Sequence, residues 1–129
     1  MKVLANVEGL AVRATIESAG LAKDTLVNIT GDRTVDLAGD GEVVHGHLSV
    51  PVKDSAEEDG EGTVETRFKS LVQVKAVGGA LAAGAIVTAG APASSVSTVK
   101  AIAGGTYEKA FGVVWVGGAE NALIEVLTY

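Results

Sequence analysis

The sequence predicts an all-β protein, a small β-barrel or β-sandwich with short hairpin loops. Three observations predict it. Apolar and polar residues alternate with a period of two over short segments, as a half-buried strand requires. Seventeen glycines punctuate those segments with turns. No long segment repeats apolar residues at i, i+3, i+4 and i+7, so no major helix is expected.

Each strand follows from its alternation and the turns around it. Leu10 to Glu17 sets Leu10, Val12, Ala14 and Ile16 against Ala11, Arg13, Thr15 and Glu17. Leu26 to Thr30 ends in the turn Thr30-Gly31-Asp32, and Arg33 to Leu37 ends in Ala38-Gly39-Asp40-Gly41. Val43 to Val52 places Val44, Gly46, Leu48, Val50 and Val52 on one face and Val43, His45, His47 and Ser49 on the other. Pro51 near its end suits an edge strand. Asp54 to Gly62 is an acidic, glycine-bearing loop without apolar anchors. Val64 to Val77 resumes the pattern, with Phe68, Val72 and Val74 expected inside. Gly78-Gly79 turns the chain into Ala85 to Ala89 and then Val96 to Ile102, and Gly104-Gly105 turns it again. In Ala110 to Val116, Phe111, Val113 and Trp115 share one face and Val114 and Val116 the other. Apolar residues on both faces predict a strand buried on both sides, with Trp115 in the core. After Gly117-Gly118, Asn121 to Thr128 is the last strand.

The chain of 129 residues is long enough for one domain with one core. Residues 1–17 read as an N-terminal arm and first strand, and 18–129 as a single β-domain. Residues 18–27 echo 78–87: each is a small-residue turn that leads into a strand, then a second strand, a glycine turn and a third. Either this divides the domain into two related units, 18–52 and 78–129, or similar turn chemistry has arisen twice by chance.

Composition excludes several function classes. Cysteine is absent, so there is no disulfide framework, thiolate zinc site or cysteine nucleophile. Ten basic against sixteen acidic residues, without a basic cluster, disfavour nucleic acid and anionic membrane surfaces. No apolar run is long enough for a signal peptide or for a membrane span of roughly 20 residues, so synthesis in the cytoplasm is expected. The apolar mass sits in small branched residues, with aromatics at only 4%, which gives a thin core and favours support from partner surfaces.

Chemical motifs are few. His45 and His47 lie two apart and would share a strand face, where a third ligand could complete a zinc site. Nothing in the sequence fixes that ligand, and a solvent-facing or interface edge is the plainer reading. Asp54, Glu57, Glu58, Asp59 and Glu61 are hard oxygen ligands, but their spacing is not that of an EF-hand. A solvated loop comes first, contact with a basic protein surface second. There is no Gly-x-Ser-x-Gly elbow and no Gly-x-Gly-x-x-Gly loop. No catalytic residue, cofactor or metal is assigned, and the chain reads as a non-enzyme.

Three segments resemble a known family. They are Gly-x-Leu-Ala-x-Gly-x-x-Val at Gly79 to Val87, Ala-Phe-Gly-Val-Val at Ala110 to Val114, and Ile-Glu-Val-Leu at Ile124 to Leu127. Looser copies occur at Leu21 to Val27, Val35-Asp36-Leu37 and His45-Gly46-His47-Leu48. From Ser18 onward the chain resembles the capsid decoration (cement, or head-stabilising) proteins of tailed bacteriophages. The acidic loop and residues 1–16 depart from the pattern. The resemblance implies a β-barrel or β-tulip fold, a homotrimer, and a place on the outer capsid surface of the virion. There it would stabilise the shell by bridging major capsid protein subunits. Contacts with capsid or neighbouring copies are assigned to Met1, Lys2, Val3, Leu4 and Asn6 of the arm, Glu57, Glu58 and Asp59 of the acidic loop, Pro92 in the loop Gly90 to Ser95, and Tyr129. A carbohydrate- or host-surface-binding β-domain is the alternative, and would use the exposed aromatics Phe68, Tyr107 and Tyr129. A small β-barrel enzyme would need a buried polar cluster, for which only His45 and His47 stand as candidates.

Overall fold

Alternation and glycine turns produce strands throughout. The computed structural model describes residues 1–49 and 61–128, with residues 5–8, 67 and 68 described by backbone alone. Among them are nine strands: β1 (Lys2–Ile16), β2 (Leu26–Gly31), β3 (Thr34–Leu37), β4 (Gly46–Leu48), β5 (Glu61–Ala76), β6 (Ile86–Ala89), β7 (Thr98–Ala101), β8 (Gly112–Val116) and β9 (Leu123–Thr128). One 3-10 turn, Tyr107–Lys109, precedes β8.

The strands close into two small barrels that share β5. In the first, β1 pairs parallel with β3, followed by antiparallel pairs β3–β2, β2–β4, β4–β5 and β5–β1. In the second, β5 pairs parallel with β7, followed by antiparallel β7–β6, β6–β8, β8–β9 and β9–β5. Closure leaves few free sheet edges, which suits short strands that would otherwise invite stray pairing.

The barrels repeat one another residue by residue. Thr15↔Thr34 and Ile16↔Val35 match Lys75↔Thr98 and Ala76↔Val99. Val27↔Gly46 matches Val87↔Gly112, and Val12↔Val64 matches Val72↔Val126. Loop bonds repeat too: His45 N–H donates to Val27 O at 2.9 Å and Phe111 N–H to Val87 O at 2.8 Å. The echo between residues 18–27 and 78–87 therefore has a counterpart in backbone pairing, at an offset of sixty residues in the β1/β5 and β2/β6 pairs.

Each barrel has its own core. The first buries Ala14, Ile16, Leu21, Val27, Val35, Leu48 and Val64. The second is centred on Val72, Val74, Val87, Val99, Phe111, Val114, Ile124 and Val126. Leu26 and Ala38 belong to the first barrel but bury into the second core, with Val44 packed beside them. This side of barrel one is thus the joint that holds barrel two.

Two expectations need correction. Trp115 is not in the core: it is 61% exposed, and β8 is buried on one face only, through Gly112 and Val114. A barrel wall has an inside and an outside, and no described residue packs over this part of the outside. A register shift between Val114 and Val116 moves the end of the strand out of simple alternation. Phe111 is buried, but from the residue before the strand. The strand expected over Val43 to Val52 is short, from Gly46 to Leu48, and its continuation through Val50, Pro51 and Val52 lies outside the described residues. Val72 and Val74 are buried as expected, whereas the side chain of Phe68 lies outside the described residues.

Candidate functional site

The residues assigned to contacts fall in different surroundings. The stretch read as an arm is the first half of β1, paired along β5 with Lys2 opposite Gln73 and Val3 opposite Val72. Met1 and Val3 are half-buried against the second core, while Lys2 and Leu4 face outward. Asn6 pairs with Ser70 along the same ribbon, and its side chain lies outside the described residues. Pro92 is half-buried in the turn before β7, where Ala93 and Val96 bridge and Ser94 and Ser95 both adopt positive φ. Glu57, Glu58, Asp59 and Tyr129 lie outside the described residues.

His45 and His47 do not form a pair. His45 precedes β4 and is exposed, and its Nδ1 accepts a hydrogen bond from Ile29 N–H at 3.1 Å. His47 is buried, which the reading of a solvent-facing edge missed. Its Nδ1 lies 3.3 Å from Asp24 Oδ1 and its Nε2 3.5 Å from Glu65 Oε2. The reason is the small barrel: β4 is flanked by β2 and β5, with Leu26 and Glu65 opposite His47, so no edge remains. Asp24 takes φ 65° in the turn before β2, and its Oδ2 accepts from Val3 N–H at 3.4 Å. This cluster ties the turn before β2, the start of β1 and the wall of β5 together. Burial lowers the pKa of the Met1 ammonium, and the Asp24 charge opposes that shift. A hollow of about 260 Å³ opens beside the cluster, lined by Val3, Lys23, Asp24, His47, Ser49 and Glu65. Among the described residues no three His, Cys, Asp or Glu side chains group as a metal site.

Apolar side chains remain on the outside. Trp115, Tyr107, Leu123, Leu127 and Val96 are exposed on the second barrel, and Leu10, Val12 and Ile29 on the first. A hollow of about 390 Å³ on the first barrel is lined mainly by Val12, Ala14, Ile29, Val35 and Val64, with Arg13 and Arg33 at its margin. Sequence reasoning missed Trp115 because it sits in an unbroken apolar run. It missed the hollow because its walls come from β1, β2, β3 and β5.

No family model matches the chain, and no curated protein matches it. Among solved structures the likeness is to a protein of a phage head. The head fiber gp8.5 N base of bacteriophage phi29 has a similar fold. The likeness covers 95% of this chain and 95% of that one, with a TM-score of 0.60 and 17% sequence identity. The aligned region therefore takes in both barrels of this chain. Among the described residues no helix is long and apolar enough to cross a membrane.

Proposed function

We propose that the chain is a structural virion protein that binds the outer surface of a phage capsid and stabilises it by bridging major capsid protein subunits, as a homotrimer. The observation that carries the reading is the whole-length likeness to the head fiber base of phage phi29. The resemblance of residues 79–87, 110–114 and 124–127 to capsid decoration proteins points the same way, and rests on sequence rather than on fold.

Physical features support it. The apolar side chains left outside are natural places for protein partners. A net charge of −6 suits docking on basic protein rather than on nucleic acid. Many equivalent, individually weak contacts on a shell add through effective concentration. The buried His47 cluster is read as structural, because it joins three parts of one barrel, and the chain as non-enzymatic.

The test mixes purified protein with expanded phage heads assembled without it, and counts bound copies by sedimentation and gel densitometry. Saturation at a symmetry-related number, with heads that then resist heat better, is the expected result. Failure to bind any head would sink the reading. Exposed Trp115 and Tyr107 favour one second reading, a carbohydrate- or host-surface-binding domain, and glycan-array binding lost in Trp115→Ala would support it.

A further inference from the structure

The two barrels are equivalent in pairing but not in exposure. Ile29 of the first barrel is 55% exposed, whereas its counterpart Ala89 in the second is 1% exposed. Val12 is 38% exposed and its counterpart Val72 fully buried. The difference has a visible cause. Ala89 is covered by the loop that follows β3 in the first barrel: Gly41 N–H donates to Ala89 O at 2.9 Å, and Asp40 pairs with Lys100 Nζ at 2.8 Å. Leu26 N–H donates to Ser97 Oγ at 2.9 Å in the same joint, with Leu26 and Ala38 buried against the second core. One barrel thus offers a loop-and-strand face and the next offers a receiving face.

Each barrel carries both faces, and among the described residues each has one left over. The second barrel's counterpart of the covering face is Ile86, for Leu26, and Ile102, for Ala38, together with the loop that holds Tyr107. Ile86 and Ile102 are half-buried and Tyr107 is exposed. The first barrel's counterpart of the receiving face is Val12, Ile29 and the apolar hollow, with Asp36 standing where Lys100 stands in the second. Asp36 Oδ1 is shielded from water and has no hydrogen-bond partner among the described residues. Asp36 as a whole is only half-buried, so its negative charge stays open to a partner's donor at the edge of that face. The covering loop of the second barrel carries such donors, the Tyr107 hydroxyl and the Lys109 ammonium. In the joint within the chain the acid is on the loop and the base on the receiver; between copies the loop carries Glu108 and Lys109 and the receiver Arg33 and Asp36, so opposite charges are present on both sides.

We propose that the Ile86–Ile102–Tyr107 face of one copy docks on the Val12–Ile29–Asp36 face of a second copy, repeating between chains the joint that links the barrels within one. The two faces differ, so the contact is head-to-tail, and repetition closes a ring or extends a chain. The proposal details the self-assembly named above and does not depend on the capsid partner.

Sedimentation equilibrium of the full chain without heads tests it. Wild type is expected to gain mass with concentration. Ile29→Asp and Tyr107→Asp each change an exposed side chain, and each is expected to be monomeric with an unchanged circular dichroism spectrum. Mixing them is the deciding step: one has an intact loop face and the other an intact receiving face, so a one-to-one pair that grows no further is expected. Val12→Asp and Ile102→Asp form a second pair should either variant misfold. Wild type that stays monomeric to about 1 mM, oligomers indifferent to both substitutions, or variants that fail to complement each other would overturn the interface. None of these outcomes touches head binding, which has its own assay.

Discussion

Gly46 and Gly112 hold the same place in the two barrels, each pressed against a backbone carbonyl of the neighbouring strand. A Cβ added at Gly46 would stand 2.6 Å from Glu65 O and 2.8 Å from a Val64 methyl. At Gly112 the corresponding atoms are Leu127 O and a Val126 methyl, and the carbonyl is nearer still. In both positions β4 or β8 crosses so close to its neighbour that only hydrogen fits.

Gly46→Ala and Gly112→Ala should therefore each destabilise the fold, by about 1–3 kcal/mol, the usual cost of overpacking. Backbone cannot yield as a flexible side chain can. Gly104→Ala is the control: nothing lies within 4 Å of the added atom and no positive φ is required there. Urea midpoints should fall for the first two and hold or rise slightly for the third.

Leu48→Ala and Trp115→Ala should separate core from surface. Leu48 is fully buried, and its truncation should cost about 2–5 kcal/mol. Trp115 faces outward, so its removal should stay within about 0.5 kcal/mol. Denaturant titration reads both. A large loss at Trp115 would mean that its ring covers more of the barrel wall than its exposure indicates.

The same contrast marks what the sequence could convey. Alternation, which is a local property, yields nine strands, except that the first half of β1 reads as an arm, and Val72 and Val74 land inside as alternation requires. Local pattern is silent where Val113, Val114, Trp115 and Val116 are all apolar, because either face could be the inner one, and a bulge then decides. Closure into two rings depends on parallel pairs, Thr15 with Thr34 and Lys75 with Thr98, whose partners lie about twenty residues apart and carry no shared motif. His47 shows the limit at the site: its neighbours Asp24 and Glu65 come from distant parts of the chain, while the residue beside it in pattern, His45, turns outward. One long-range signal was legible, the echo between residues 18–27 and 78–87. Gly46 and Gly112 are its most specific continuation.

Asp24 tests the polar cluster. Asp24→Ala removes the carboxylate that faces His47 and accepts from Val3 N–H, and it leaves a Cβ at φ 65° without a side chain suited to that backbone. A loss of about 1–3 kcal/mol is expected. Asp24→Gly should cost less, because Gly84 occupies the equivalent turn at φ 87° without strain. Equal losses in the two variants would show that backbone conformation contributes little and the carboxylate contacts dominate.

The N-terminal residues serve the fold and, in the proposed function, the capsid, and the two roles can be separated. Deleting residues 1–6 strips a paired strand from β5 and uncovers the core beside Val72, since Met1 and Val3 pack there. Stability should fall by about 1–3 kcal/mol, the order expected for withdrawing partly buried apolar side chains. Head decoration by this variant would fall for either reason, so it cannot identify a contact. Lys2→Glu and Leu4→Ser change only outward-facing side chains of the same strand. They should leave the urea midpoint where it is. If β1 touches the shell, Lys2→Glu should change the number of copies bound to heads at fixed concentration together with its salt dependence, and Leu4→Ser should reduce it without altering its salt dependence. Unchanged decoration by both variants would move the capsid contact away from β1 and leave that strand a purely structural part of the barrels.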